Sequence, residues 1–341
     1  MKSHLTLKDI AKYFDLSVST VSRALRNDKT ISEDTRARII NYARENRYNP
    51  NFIAANLRKQ ESNVIGVIIP EISNAFFSRI IDGIEDVADK NNYTLVITQS
   101  DEKWHKEKKC VQTLLSSRVA GILVSISKTT ESYEHFNDIV NSNVGLVFFD
   151  RRAKDFEADS ITVTDEFGAF SAVEYLIMTG CKRIAFYGSS SNLEIAENRK
   201  RGYLKALRQY GIKEDKSLIY ECDTNLLAKE ITYDVLSLKD RPDAIFTIND
   251  NTAAGVIYIA KRMGISIPGE LSVCGFGDGY ISENTDPSIT SIDQNPFLIG
   301  KYSAERLLNK IKCNNDTDKS VKDIEIETSL IIRSSTGFIK D

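Results

Sequence analysis

From Val64 onward, short continuous apolar runs alternate with longer amphipathic stretches, and this alternation narrows the possible folds more than any other feature of the chain. The runs cover residues 64–70, 93–98, 120–125, 144–150, 183–188, 243–248 and 271–276. Between them, residues 77–90, 166–178 and 252–263 carry apolar side chains at helical spacing. A strand that is apolar on both faces must be covered on both, and a helical crossover returns the chain to a parallel neighbour. The pattern predicts an α/β body, a two-lobed doubly wound parallel-sheet core with the break between its sheets near residue 160. With 341 residues the chain exceeds one ordinary core, so further domains are expected.

Small-molecule sites in such sheets lie beyond the carboxyl ends of the strands. Residues there include Asn74, Phe76 and Phe77 after the first run, Asp150-Arg151-Arg152 after the fourth, and residues 189–192 after the fifth. Asn249-Asp250 and Gly277-Asp278 follow the last two. Carboxylates, amides, arginines and aromatic faces converging on a cleft suit a polyhydroxylated ligand. Taken singly, each of these acids and arginines could equally be a solvated loop charge.

Several chemistries find no support. Residues 275–279 read Gly-Phe-Gly-Asp-Gly, which has the wrong glycine spacing for a dinucleotide loop, and no cofactor is expected. The three histidines stop at His135, and the five cysteines form no CxxC pair, so neither a metal site nor a histidine-driven triad is expected. There is no P-loop, and the chain reads as a non-enzyme, although a carboxylate such as Asp150 or Asp250 leaves a sugar-metabolising enzyme open as an alternative. No run of membrane-spanning length and no export signal is visible, which predicts a cytoplasmic protein without a membrane partner and weighs against a secreted two-lobed solute-binding protein.

The first sixty residues differ in kind. Thr6 can cap a helix with Asp9 at its third position, and Leu7, Ile10, Ala11 and Phe14 share one face. Asp15-Leu16 breaks that helix. Ser17 can cap a second, with Val21, Ala24 and Leu25 inward and Val18, Ser19, Ser22, Arg23 and Arg26 outward. Ser32 can cap a third that runs to about Asn46. Small hydroxylated residues at a helix start, with arginine one turn on, suit entry into a major groove. An ordinary helical hairpin in a core would look similar, but charge separates the two readings. Residues 1–60 hold 12 Lys/Arg against 6 Asp/Glu, whereas the remaining 281 hold 33 against 42. A basic head on an acidic body suggests a module for polyanions joined to something that does not bind them.

The order of these parts resembles the lactose/galactose repressor (LacI/GalR) family of bacterial transcription regulators over essentially the whole chain. The matching residues are Thr6-Leu7-Lys8-Asp9-Ile10-Ala11, Leu16-Ser17, Thr20-Val21-Ser22-Arg23, Thr35-Arg36, Tyr48, Pro50-Asn51, Ala54 and Leu57. The body matches more loosely, through residues 66–70, Gly121-Ile122, Arg199, Gly202-Tyr203, Asn249-Asp250 and residues 267–273. The resemblance implies a helix-turn-helix head over 1–48, a hinge over 49–61, and a periplasmic-binding-protein-like body over 62–341. It divides the body into a first lobe of about 62–162 plus 293–322 and a second of about 163–292 plus 323–341. It further implies a homodimer on a near-palindromic duplex operator, with a sugar-like effector that modulates repression of carbohydrate-utilisation genes. In the head, Val18, Ser19 and Arg23 would read bases, and Thr6, Ser17, Thr20 and Ser32 would meet phosphate. In the hinge, Leu57 would wedge the minor groove, flanked by Asn51, Ala54 and Arg58. In the cleft, Phe76, Phe77, Asp150, Arg199, Asn249, Asp278 and Gln294 would hold the effector. One departure stands out: Gly277 follows Phe276 where many relatives have aspartate, and the acid comes one residue later, at Asp278.

Overall fold

The computed structural model describes residues 5–46, 48, 62–189, 193–312 and 321–337. The hinge residues Asn51, Ala54, Leu57 and Arg58 lie outside the described residues. The chain divides into two compact units, Met1–Ser62 and Asn63–Asp341.

Among the described residues of the head there are three helices: α1 (Leu7–Phe14), α2 (Val18–Leu25) and α3 (Glu33–Glu45). Thr6 and Asp9 cap α1 reciprocally: the Asp9 N–H donates to Thr6 Oγ1, and the Thr6 N–H donates to Asp9 Oδ2 at 2.9 Å. Asp15 then turns the chain through the left-handed region, at φ 54°, a conformation Asp tolerates better than most residues. Ser17 caps α2 by accepting from the Thr20 N–H at 3.1 Å. Ile10, Ala11, Val21, Ala24, Ile39 and Ala43 make the buried centre. So small a core gains from its aromatic flank, where Tyr13 stacks on Tyr42 with ring centroids 4.1 Å apart. Two expectations are corrected. Val18 is half-buried against this core, because it opens a helix whose inward face starts there. Ser32 occupies the cap position of α3, but its hydroxyl donates to Thr35 Oγ1 at 2.8 Å and caps no backbone N–H.

The body holds two parallel sheets. The first has the order β11-β5-β4-β3-β1-β2, from β1 (Val64–Ile69), β2 (Thr94–Gln99), β3 (Gly121–Val124), β4 (Gly145–Phe149), β5 (Asp159–Val163) and β11 (Asp323–Ile326). Helices α4 (Ala75–Lys90) and α12 (Pro296–Lys312) cover one face, and α5 (Trp104–Ser116) and α6 (Glu134–Asn141) cover the other. The second sheet has the order β7-β6-β8-β9, from β6 (Ile184–Gly188), β7 (Ile219–Glu221), β8 (Ala244–Thr247) and β9 (Ser272–Cys274). It is sandwiched by α7 (Asp165–Met178) and α8 (Glu194–Gln209) on one side, and α9 (Asn225–Ser237) and α10 (Asp250–Arg262) on the other. A short helix α11 (Tyr280–Asn284) precedes an antiparallel pair, β10 (Ser291–Asp293) with β12 (Ser329–Ile331).

Among the described residues the chain crosses between lobes three times, at 163–165, 293–296 and 326–329. The third crossing corrects the expected division, which assigned 323 onward to the second lobe. Strand β11 pairs in parallel with β5, Asp323 opposite Ser160, and buries Ile326 in the first lobe's core. The crossings are tied together. Thr164 and Thr328 share a hydroxyl–hydroxyl bond of 3.0 Å, the Thr328 N–H donates to Thr164 Oγ1 at 3.1 Å, and Asn295 Nδ2 donates to the Glu327 carbonyl at 3.2 Å.

Helices α4 and α12 touch backbone to backbone. A Cβ on Gly300 would lie 1.9 Å from the Ile80 carbonyl oxygen, and one on Gly83 would lie 2.1 Å from that of Phe297. Neither obstacle is a side chain that can swing aside. Gly300→Ala is therefore expected to cost at least about 1–3 kcal/mol through forced separation of the helices. Urea unfolding checks this: the midpoint should fall with the slope unchanged.

Candidate functional site

On the head, the start of α2 gathers three hydroxyls. Ser17 Oγ lies 2.7 Å from Ser19 Oγ and 2.8 Å from Thr20 Oγ1. Ser19 and Arg23 are exposed, and Arg26, also exposed, donates from Nε to the Ser22 carbonyl at 3.2 Å. The Arg23 guanidinium thus stands in solvent one turn beyond a polar helix N-terminus. Thr6 is differently placed: its hydroxyl donates to Asp9 Oδ2 at 2.6 Å and holds the Asp9 carboxyl below the usual carboxylate range. The single hydroxyl proton is thereby committed within the cap.

Arg199 organises the site between the lobes. It projects from α8, and its guanidinium stacks on the Phe276 ring, 3.6 Å from the centroid. Nε donates to Asp165 Oδ1 at 2.7 Å, Nη1 to the Ile248 carbonyl at 2.7 Å, and Nη2 to Gln294 Oε1 at 3.0 Å. One buried cation thereby joins α7, α8, the end of β8 and the crossing after β10. Burial pushes the Asp165 carboxyl up to about 6, against the pull of Arg199. Asp150 follows β4 in a left-handed turn, φ 60°, and is also buried. Burial raises its pKa, opposed by Arg151 and Arg199. Asp150 accepts from Ser125 Oγ at 3.2 Å. A cleft open to solvent is lined by Asp150, Arg151, Arg152, Asp165, Glu194 and Asn198.

Arg199, Asp150 and Gln294 therefore converge, while other expected cleft residues are otherwise engaged. Phe77 is buried in the first lobe's core, its ring 5.4 Å from that of half-buried Phe76. Asn249 caps α10: Oδ1 accepts from the Thr252 N–H at 2.9 Å, and Nδ2 donates to the Asp223 carbonyl at 2.8 Å. Asp278 is paired with Arg333. The glycine-rich stretch beside it serves the buried Asp250. A Cβ on Gly275 would come within 2.2 Å of Asp250 Oδ1, and one on Gly277 within 3.1 Å of Oδ2. With those side chains absent, Asp250 accepts from Ser282 Oγ at 3.0 Å and from the Gly279 N–H at 3.2 Å. Its carboxylate braces a turn rather than facing a reactant.

Sequence reasoning placed Arg151, Arg152 and Ser189 at strand ends but overlooked the groups that meet them or one another, Glu102, Lys128, Glu194, Asp223 and Asp323. Lys128 Nζ meets Asp223 Oδ2 at 2.8 Å from the opposite lobe, and Ser189 Oγ donates to the same oxygen at 2.9 Å. Arg152 forks onto Glu194, with Nε–Oε2 2.7 Å and Nη2–Oε1 3.1 Å, while its Nη1 reaches Asp323 at 2.8 Å. Arg151 Nη1 contacts both oxygens of Glu102, at 2.8 and 2.9 Å. The available signal was position alone, since Glu102, Lys128 and Asp223 each follow a strand of their sheet.

A capped helix-turn-helix head joined to a two-lobed body with a polar inter-lobe cleft defines the class. The comparisons agree with it. A periplasmic binding protein-like domain matches residues 173–336, and the lacI family of bacterial regulatory proteins matches residues 6–51. Catabolite control protein A of Priestia megaterium is 31% identical over 98% of this chain and 99% of its own. The HTH-type transcriptional repressor PurR of Vibrio atlanticus is 29% identical over 97% and 98%. The crystal structure of the Lac repressor bound to ONPG in its repressed state superposes with a TM-score of 0.83 at 25% identity, covering 98% of this chain and all of that one. The chain belongs to the lacI family of bacterial regulatory proteins. It is a DNA-binding transcriptional regulator and not an enzyme. Among the described residues, no helix is long and apolar enough to cross a membrane.

Proposed function

We propose that the protein is a cytoplasmic repressor that binds a near-palindromic operator as a homodimer and answers to a small hydroxylated effector held between its lobes. The observation that carries the reading is the exposed, hydroxyl-rich start of α2 with Arg23 one turn on, set on the basic part of the chain. Ser19 and Arg23 read base edges, and Ser17 and Thr20 meet phosphate. The Thr6 and Ser32 hydroxyls are left out because their protons are held by Asp9 and Thr35. Leu57 wedges the minor groove, with Asn51, Ala54 and Arg58 beside it. Dimerisation is supported by exposed apolar side chains on the body, Val96 and Ile97 on the edge strand β2 and Leu226, Tyr233, Tyr258 and Tyr280 on the second lobe. For the effector, Asp150, Arg199 and Gln294 offer fixed acceptors and donors, and the Lac repressor neighbour is bound to ONPG. Rotation of the lobes on ligand binding couples this cleft to operator affinity.

Selection from a random duplex library with purified full-length protein tests the reading. Enrichment of a two-fold symmetric site is expected, and Arg23→Ala should relax one position per half-site by about 1–3 kcal/mol. Equal loss on every sequence would mark Arg23 as a phosphate contact, and recovery of no preferred duplex would overturn the proposal.

A further inference from the structure

Taking the inter-lobe cleft as the effector site, we infer that its effector is an uncharged polyhydroxylated molecule, and that the cleft rejects the phosphorylated or carboxylated form of the same compound. The argument turns on what already holds the cations. Four basic side chains pack into the cleft walls: Lys128, Arg151, Arg152 and Arg199, with side-chain exposures of 30%, 11%, 33% and 5%. Each meets a carboxylate of the chain itself. Lys128 is held by Asp223, Arg151 by Glu102 with Asp150 at 3.6 Å, Arg152 by Glu194 and Asp323, and Arg199 by Asp165. Six carboxylates thus face four cations.

A phosphate entering here would have to draw a guanidinium away from its partner and then lie beside the carboxylate left behind. Beside the largely buried Arg151 and Arg199 that exchange adds like-charge repulsion and repays little of the anion's desolvation. A sugar hydroxyl makes no such demand. Asp150 accepts one hydrogen bond, from Ser125, although a carboxylate has about four acceptor positions. Arg199 commits three of about five N–H groups to the protein. The Gln294 oxygen is engaged by Arg199, leaving its amide nitrogen as a donor. Acceptors and donors remain at the centre of the site, while its formal charges are already matched.

The test titrates full-length protein calorimetrically with matched pairs: D-ribose and D-glucose, each against its phosphate ester, and D-glucose against gluconate. The expected result is that a neutral member binds and its anionic form binds at least about tenfold more weakly. Glu102→Gln, which removes one charge from Arg151 while an amide oxygen can still accept the Lys128 N–H, should narrow that ratio. An anion binding as tightly as its neutral partner overturns the inference and leaves the cleft as the effector site. A ratio unchanged by Glu102→Gln overturns the charge-pairing cause on which the inference stands. Failure of every neutral and anionic probe to bind overturns instead the reading of the cleft as a site for hydroxylated effectors.

Discussion

Raising monovalent salt from about 50 to about 200 mM should weaken operator binding by about 10³ to 10⁵, because some 6–10 phosphates are neutralised and their counterions released. The expectation follows from the division of charge in the chain. The first sixty residues carry a net charge of +6 and the remaining 281 a net charge of −9, so the body adds no net attraction for DNA of its own. A plot of log affinity against log salt should fall with a slope of about −5 to −9. Fluorescence anisotropy with a labelled operator measures it directly. An affinity indifferent to salt would mean that the basic head does not grip the backbone.

The second large effect is expected at Arg199. Arg199→Ala removes the cation from a buried cluster and leaves the Asp165 carboxylate without its partner at 2.7 Å. Breaking a buried pair in this way costs about 3–5 kcal/mol, far more than the pair contributes over an apolar replacement. The Phe276 ring also loses the guanidinium stacked on it. Chemical denaturation of the body should report the loss, and adding Asp165→Asn should recover part of it by removing the stranded charge. The same Arg199→Ala variant should lose its response to effector while still binding operator, because the head is a separate compact unit with its own core. A variant as stable as the parent would show that the buried network is not held by charge.

Much of this fold was legible locally. The apolar runs at β1, β3, β4, β6 and β8 announce strands because nothing polar interrupts them, and the caps at Thr6 and Ser17 announce helices because their partners lie three residues away. Strands β5 and β11 escaped for the opposite reason. Each begins with an aspartate, which reads as a loop residue. Asp159 is fully buried in β5 only because Arg306 and Lys310, from a helix almost 150 residues later, neutralise it at 2.8 and 2.9 Å. No local pattern carries that information, and missing β11 misplaced the third lobe crossing. The cleft behaved similarly. Arg199, Asp150 and Gln294 could be named from position and resemblance, but the ion pair between Lys128 and Asp223 spans 95 residues of sequence. Asn249 shows the converse: it sits at a strand end, yet its side chain is consumed in starting a helix.

The cross-tied strand connections carry a mechanical consequence. Three separate ribbons could stretch or slide past one another, and the halves of the body could then shear in any direction. Stitched through Thr164, Thr328 and Asn295, they behave as one joint in place of three loose straps. A guest that drew the jaws together would therefore load all three ribbons at once and leave little slack between them.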